Sequence, residues 1–305
     1  MVFAHSFWSK PLLAKKFDTF ENSLQIILFS YTMSAEMVRA FGHDIILYTD
    51  EYGKDLLSVA PYTDIVVLDI PDTESEHFAA QIKFEALKRM ELGQILIDGD
   101  LFLWKYGIYD IIEKSNADVL CSIYEDNDYI LKGGIYAEKF GTMLEKMSEA
   151  TYEEPFILPK LEELGWPNTS LMKFNSQELK DKYIQQYEHH KGMLTGIDFG
   201  KAWPDVIIEQ QFLQQLCDGE GYDIKPALED FENNEDKAVE LGFTHLGSMK
   251  NQKIGLAVNW IRENDPQRFM AILQKIQETI NNQKKLRELY TCCPKEHFKT
   301  FFNFH

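Results

Sequence analysis

A mainly parallel α/β sheet flanked by helices is the fold class that three features of this sequence predict. Short apolar runs of strand length recur at 2–4, 44–48, 64–70, 94–97 and 117–123. Stretches with helical spacing, notably 20–40 and 74–90, separate them. Glycines punctuate the ends: Gly42 and Gly93 stand where helix C-terminal signals belong. Strand and helix in alternation is the pattern of βαβ units and hence of a parallel sheet over the first half of the chain.

Taken in order, 2–4 is the first strand, 20–40 the first long helix, and 44–48 a second strand ending in Thr49-Asp50. The third strand, 64–70, leads through the helical stretch 74–90 to the fourth, 94–97, whose core Ile95-Leu96-Ile97 has no polar residue, as in the middle of a parallel sheet. The fifth is 117–123, and beyond 125 the alternation weakens. A helix is predicted over 204–216 with Pro204 in its first position, and a C-terminal packing helix, rich in Gln and Lys, over 266–289. The polar stretch 229–236 reads as a loop, and there is no internal repeat.

A chain of 305 residues with 45% hydrophobic content buries a full core, as one large domain or one domain with an appendage. Its net charge of −18 argues against partners that demand basic patches, nucleic acid first and anionic membrane surfaces second. An anionic ligand would need a bound metal or local lysines beside it. Cys121, Cys217, Cys292 and Cys293 lack metal-site spacing and are expected to be reduced thiols. The N-terminal residues carry His5, Ser6, Ser9 and Lys10 among their apolar neighbours, so no secretory h-region is expected there, and no apolar run approaches ~18 residues. The expected location is the cytoplasm, free or peripheral to the inner face of a membrane.

The most chemically loaded stretch follows the fourth strand: Asp98-Gly99-Asp100. Alternation along a strand would send both aspartates to one side, and Gly99 would let a ligand approach the backbone. Two convergent carboxylates make a site for a hard cation, placed beyond the carboxyl end of a central strand where α/β proteins bind ligands. A second D-x-D, Asp126-Asn127-Asp128, lies in a polar run and reads as a solvated loop.

Over residues 1–250, the order of a Rossmann-like half, a strand ending in D-x-D, an Asn-Thr segment, an acid-Gln helix and a late His-Gly-Lys motif resembles the GT-A glycosyltransferases, particularly the glycogenin-like and bacterial lipopolysaccharide galactosyltransferase group. The resemblance implies a GT-A catalytic domain over 1–250 and a helical extension over 251–305. It implies a metal-dependent hexosyltransferase that takes a nucleotide-sugar donor and a glycan or glycolipid acceptor, with retention of anomeric configuration. Asp98 and Asp100 would hold Mn2+ or Mg2+, and His245 would complete the metal site. The family's late motif is H-x-x-G-x-x-K-P-W, whereas this chain has His245-Leu246-Gly247-Ser248-Met249-Lys250, one residue shorter before the glycine, with Asn251-Gln252 in place of Pro-Trp. Gly247 and Lys250 would contact phosphate.

Further residues take roles from the same resemblance. Asn168, in Pro167-Asn168-Thr169-Ser170, matches an N-x-G segment near the donor sugar, with Ser170 replacing the glycine; the residues also read as plain turn chemistry. Glu209-Gln210 matches an acid-Gln pair beside the anomeric carbon, and helical spacing puts Glu209 on the face of Phe212, Leu213 and Leu216, toward the apolar side. Lys83, among Ala79, Ala80, Ala86 and Leu87, has room to reach a phosphate or sugar, or snorkels at the helix rim. His5 and Ser6 stand where the family contacts the nucleotide base, and Asp50 is either a nucleotide contact or a helix cap.

Two other classes share these residues. Ile97-Asp98-Gly99-Asp100 resembles the nucleophile loop of haloacid-dehalogenase-type phosphatases, although Phe102 stands where that loop has Thr or Val. A catalytically silent glycosyltransferase-like binder would account for the altered late motif and for Ser170.

Overall fold

The computed structural model describes residues 1–14, 17–71, 78–125, 166–197, 204–205, 207–228, 238, 240–245 and 259–291. The loop expected at 229–236, the second D-x-D, Gly247, Lys250, Cys292 and Cys293 lie outside them. The first five strands of the central sheet's parallel half and its flank are β1 (Val2–Phe7), β2 (Asp44–Thr49), β3 (Asp64–Val67), β4 (Ile95–Ile97) and a short outlying β5 (Leu101–Leu103). They are joined by α1 (Lys10–Leu13), α2 (Phe17–Ala40), α3 (Glu51–Leu57) and α4 (Gln81–Arg89). Next come α5 (Tyr106–Lys114), β6 (Val119–Glu125), β7 (Trp166–Phe174) and α6 (Gln177–Leu194). A π-helical turn (Ile207–Gln211) runs into α7 (Phe212–Glu220), followed by β8 (Ile224–Leu228), β9 (Phe243–His245) and α8 (Pro266–Thr291).

The seven-stranded sheet has the order β3-β2-β1-β4-β7-β6-β8, and β5 pairs with β9 in a separate two-stranded ribbon. β7 runs antiparallel to both of its neighbours; the other pairings in the large sheet are parallel. The expected mainly parallel α/β sheet is thus present. From β1 the chain builds outward to β2 and β3, then returns to place β4 on the opposite side of β1. That reversal opens a crevice at the carboxyl ends of β1 and β4, where open α/β sheets bind ligands.

Apolar faces hold helices on both sides. Phe84 and Leu87 of α4, Tyr183 and Tyr187 of α6, and Phe212 and Leu213 of α7 form one core with Leu96 and Met172 of the sheet. On the other side, Leu24, Leu28, Met33 and Met37 of α2 meet Phe269, Ile272, Ile276 and Ile280 of α8. Asp265 caps α8 by accepting the Arg268 N–H at 3.0 Å, with proline in the first helical position. Arg268 then reaches the buried Glu36 of α2 through two nitrogens, at 2.6 and 3.0 Å, which pins α8 to the sheet-covering helix.

Gly42 ends α2 as expected, with φ +79°. Gly93 is not a helix cap: α4 closes at Met90, and Gly93, at φ +82°, turns the chain into β4 while donating its N–H to Phe174. The larger difference is β7, a nine-residue strand at the centre of the sheet where the sequence suggests a turn. Its polar residues are tolerated because they find partners. Ser122 of β6 donates to the Asn168 side chain at 2.8 Å, Ser170 donates to Ser122 at 2.9 Å, and Thr169 has its own acceptor in the cleft below.

Candidate functional site

At the crevice, Asp98 leaves β4 and the chain reverses. The Leu101 N–H donates to the Asp98 carbonyl at 3.0 Å, which closes a turn around Gly99 and Asp100. The two carboxylates therefore converge through a turn, not through alternation along a strand. Gly99 lines the cleft and also has a second purpose: a Cβ there would lie 2.3 Å from the ring of Tyr31, for which it makes room. Tyr31 cannot withdraw easily, since its hydroxyl donates to the Ser6 carbonyl at 2.9 Å and its ring packs edge-on against His5 and Phe7. Gly99→Ala is expected to lower stability by about 2 kcal/mol or more, the cost of overpacking a fixed core. Urea unfolding would measure it, and a loss below about 0.5 kcal/mol would show that the ring yields.

His245 arrives from 145 positions further along the chain because β9 pairs with β5 in the register Leu101↔His245. Its Nε2 lies 3.6 Å from Asp100 Oδ1. One ligand atom each from Asp98, Asp100 and His245 all fall within 4.8 Å of one another.

On the other side of Asp98 stands Lys83 of α4. Its Nζ is 2.8 Å from Asp98 Oδ1 and 2.5 Å from Glu209 Oε1. Burial disfavours the ammonium, but the Asp98 and Glu209 carboxylates outweigh it and hold the lysine charged, with its pKa above the usual lysine value. Thr169 of β7 also donates to Glu209 Oε1, at 2.5 Å, leaving Oε2 without a partner among the described residues. The π turn carries Glu209 on the apolar side with Phe212 and Leu213. Widening by one residue frees backbone groups, and the Tyr183 hydroxyl donates to the Glu209 carbonyl at 2.8 Å. The neighbouring Gln211 is fully buried, and neither of its amide atoms has a partner among the described residues; Gln210 Oε1 is likewise buried and unpaired.

Lys83, Asp98, Asp100, Glu209, His245 and Ser6 thus share one cleft of about 450 Å³, walled on its apolar side by Phe7, Trp8, Leu12, Ile27 and Tyr31. Among the described residues, His5, Asp50 and Asn168 have other tasks. His5 is sealed in the core, so it is not available to a nucleotide base. Ser34 donates to the Leu101 carbonyl at 2.6 Å, so His5 Nε2 donates to Ser34 at 3.0 Å and Nδ1 accepts from Tyr62 at 2.8 Å. Burial lowers its pKa to about 3 despite the Asp100 charge, and the neutral ring braces the strand that follows Asp100. Asp50 caps α3 by accepting the Gly53 N–H at 2.8 Å, and its other oxygen accepts from the Ser9 N–H and hydroxyl at 3.0 and 2.6 Å. Asn168 lies under the cleft, tied to Ser122 and to the Ser170 N–H. Tyr31 and Asp205, which line the cleft, and Thr169, which holds Glu209, give no sign of a site in the sequence: a tyrosine in a helix, an aspartate at a helix start and a threonine in a strand carry no signal of their own.

Fold and site together define a Rossmann-like α/β protein with an acidic, lysine-bridged cleft at its topological switch point. The chain belongs to a family described as "Family of unknown function (DUF6734)", whose model matches residues 1–255. No curated protein matches it. Similar solved structures include the galactosyltransferase LgtC in complex with donor and acceptor sugar analogues, at 9% identity and TM-score 0.40, covering 83% of each chain. A protein from Desulfovibrio desulfuricans G20, whose name proposes nucleotide-diphospho-sugar transfer, matches at 12% identity and TM-score 0.37 over 92% of this chain and 96% of its own. The glycosyltransferase GlyE of Streptococcus pneumoniae TIGR4 matches at 12% identity and TM-score 0.34 over 83% of this chain and 50% of its own. Likenesses this distant speak to neither ligand nor activity. No helix among the described residues is long and apolar enough to cross a membrane.

Proposed function

We propose that the protein is a metal-dependent glycosyltransferase with a GT-A-like fold, moving a sugar from a nucleotide-diphosphate donor to a glycan or glycolipid acceptor. The observation that carries this reading is the convergence of Asp98, Asp100 and His245 in the same cleft as the Lys83–Glu209 pair. Two carboxylates and an imidazole are a fitting donor set for Mn2+ or Mg2+, and these three residues would hold it. When bound, the ion would neutralise charge on the donor's diphosphate. The protein's own residues do the rest. Lys83 holds Glu209 Oε1, Thr169 fixes the same oxygen, and the remaining carboxylate oxygen would stabilise positive charge at an anomeric carbon. Gly247 and Lys250 are assigned to the phosphates by resemblance, as is retention of configuration. The cytoplasm is the proposed location.

A thermal-shift series with UDP, GDP and dTDP, each with and without manganese, tests the reading. Melting temperature should rise by roughly 5 °C at saturation for one nucleotide, and only with the metal present. Failure of every pair to stabilise would overturn it. The silent-binder alternative draws support from the Lys83 contact to Asp98 Oδ1, which already neutralises part of the carboxylate set.

A further inference from the structure

Asp205 is a buried acid in the cleft that the reading above leaves without a task. It lies one helical turn before Glu209 and lines the same cleft while only 4% exposed. Its Oδ2 accepts the Ala80 N–H at 2.6 Å, at the start of α4, a helix end with no side-chain cap of its own. Its Oδ1 accepts a longer hydrogen bond, 3.3 Å, from the Tyr187 hydroxyl of α6. Neither partner is a cation. The cation that acts on Asp205 is Lys83, and Lys83 is already shared by Asp98 and Glu209. An ionised Asp205 would be a buried charge beside Glu209 with no counterion to itself, which is strongly unfavourable.

We propose that Asp205 is a neutral carboxylic acid built into the cleft, carrying its proton on Oδ1 and donating it as a hydrogen bond to an acceptor oxygen of the bound sugar. This deepens the sugar-transfer reading and rests on it. Oδ2 is committed to the Ala80 N–H at 2.6 Å, whereas Oδ1 accepts only the longer 3.3 Å bond from Tyr187, whose hydroxyl can rotate to accept instead, so Oδ1 is the oxygen that carries the proton. The charged and titratable groups around it are Glu209 on the π turn, Tyr183 and Tyr187 on α6 and Lys83 on α4, so its environment is that of the Glu209 end of the cleft, where a sugar is expected, and not of the Asp98–Asp100 end assigned to phosphate. Burial pushes its pKa up to about 8 and the Glu209 charge adds to the rise, against the opposition of the Ala80 N–H, the Tyr187 hydroxyl and the Lys83 charge. A carboxyl kept neutral in this way is a strong donor where an ionised one is none.

The proton can be tested apart from the sugar. A folded-state pKa of about 8 against an ordinary 3.8 means that the native state binds the extra proton between those values. The stabilisation is full below the lower pKa and is lost as pH rises through the upper one. Asp205→Asn keeps the shape and cannot ionise. The melting temperature of the unmodified protein minus that of Asp205→Asn should therefore fall steadily from about pH 5 to about pH 9. A flat difference, or an Asp205→Asn variant that does not fold at neutral pH, would overturn the proposal, because a neutral isostere must be tolerated. In the second arm, binding of UDP-, GDP- and dTDP-linked hexoses with manganese is followed against pH. The unmodified protein should lose affinity above about pH 8, Asp205→Asn should lack that alkaline limb, and Asp205→Ala should bind at least ~10-fold more weakly than Asp205→Asn. An alkaline limb that persists in Asp205→Asn overturns the donor role. If no hexose donor binds at any pH, the sugar reading and the donor role fail together, and the melting series alone decides the proton.

Discussion

Lys83→Met is expected to destabilise the fold by about 3 kcal/mol at neutral pH, although the new side chain is apolar and of similar length. Lys83 is the shared counterion of Asp98 and Glu209, at 2.8 and 2.5 Å, with only 14% of its side chain exposed. Removing one partner of a buried set costs far more than the set contributes, because the survivors stay desolvated without compensation. The double variant Lys83→Met/Glu209→Gln removes one surviving charge and should recover at least about 1 kcal/mol of the loss. Chemical denaturation of the two single variants and the double would measure this coupling. Strict additivity would mean that the ammonium is held by solvent and that the cleft is wetter than its geometry implies.

How much of this was legible in the sequence depends on whether the determining contact is local. The strands 44–48 and 94–97 and the helix 20–40 could be read from periodicity, because burial of one element face against the sheet imposes it. Convergence of Asp98 and Asp100 was also local, though through a turn instead of strand alternation. His245 reaches them through the β5–β9 pairing, a contact that no local pattern encodes; resemblance of motif order pointed to it. Turn-forming residues hid β7, since Pro167, Asn168 and Ser170 lose their turn character only when Ser122 and the flanking strands supply hydrogen bonds. His5 illustrates the converse. A histidine at a strand end looks available, but β1 is covered on both faces, and Tyr62 and Ser34 satisfy both ring nitrogens. Asp205 resembles any acid in a first helical turn until the Ala80 N–H and the missing counterion are seen in space.

Glu209→Gln separates a working transferase from a silent binder. Glutamine retains an oxygen that can accept from Lys83 and Thr169, so the local hydrogen bonds to Oε1 survive while the negative charge is lost. Glu209 lines the cleft but is not among the three candidate metal-holding residues, so affinity for a nucleoside diphosphate with manganese should change by less than about 3-fold. Turnover is a different matter. A carboxylate that acts on positive charge developing at the anomeric carbon contributes chiefly in the transition state, and its loss should lower the rate of sugar transfer by ~100-fold or more with little change in donor KM. Asp100→Asn provides the contrast, expected to weaken metal-dependent nucleotide binding itself. Equal loss of binding and turnover in Glu209→Gln would move Glu209 into donor recognition. Undiminished transfer would remove it from the chemistry, leaving Lys83 to use it only as a counterion. Binding without transfer by the unmodified protein, across a panel of donors and acceptors, would instead favour the silent binder, in which the bond between Lys83 and Asp98 is the resting state of a site that holds a nucleotide sugar and does not act on it.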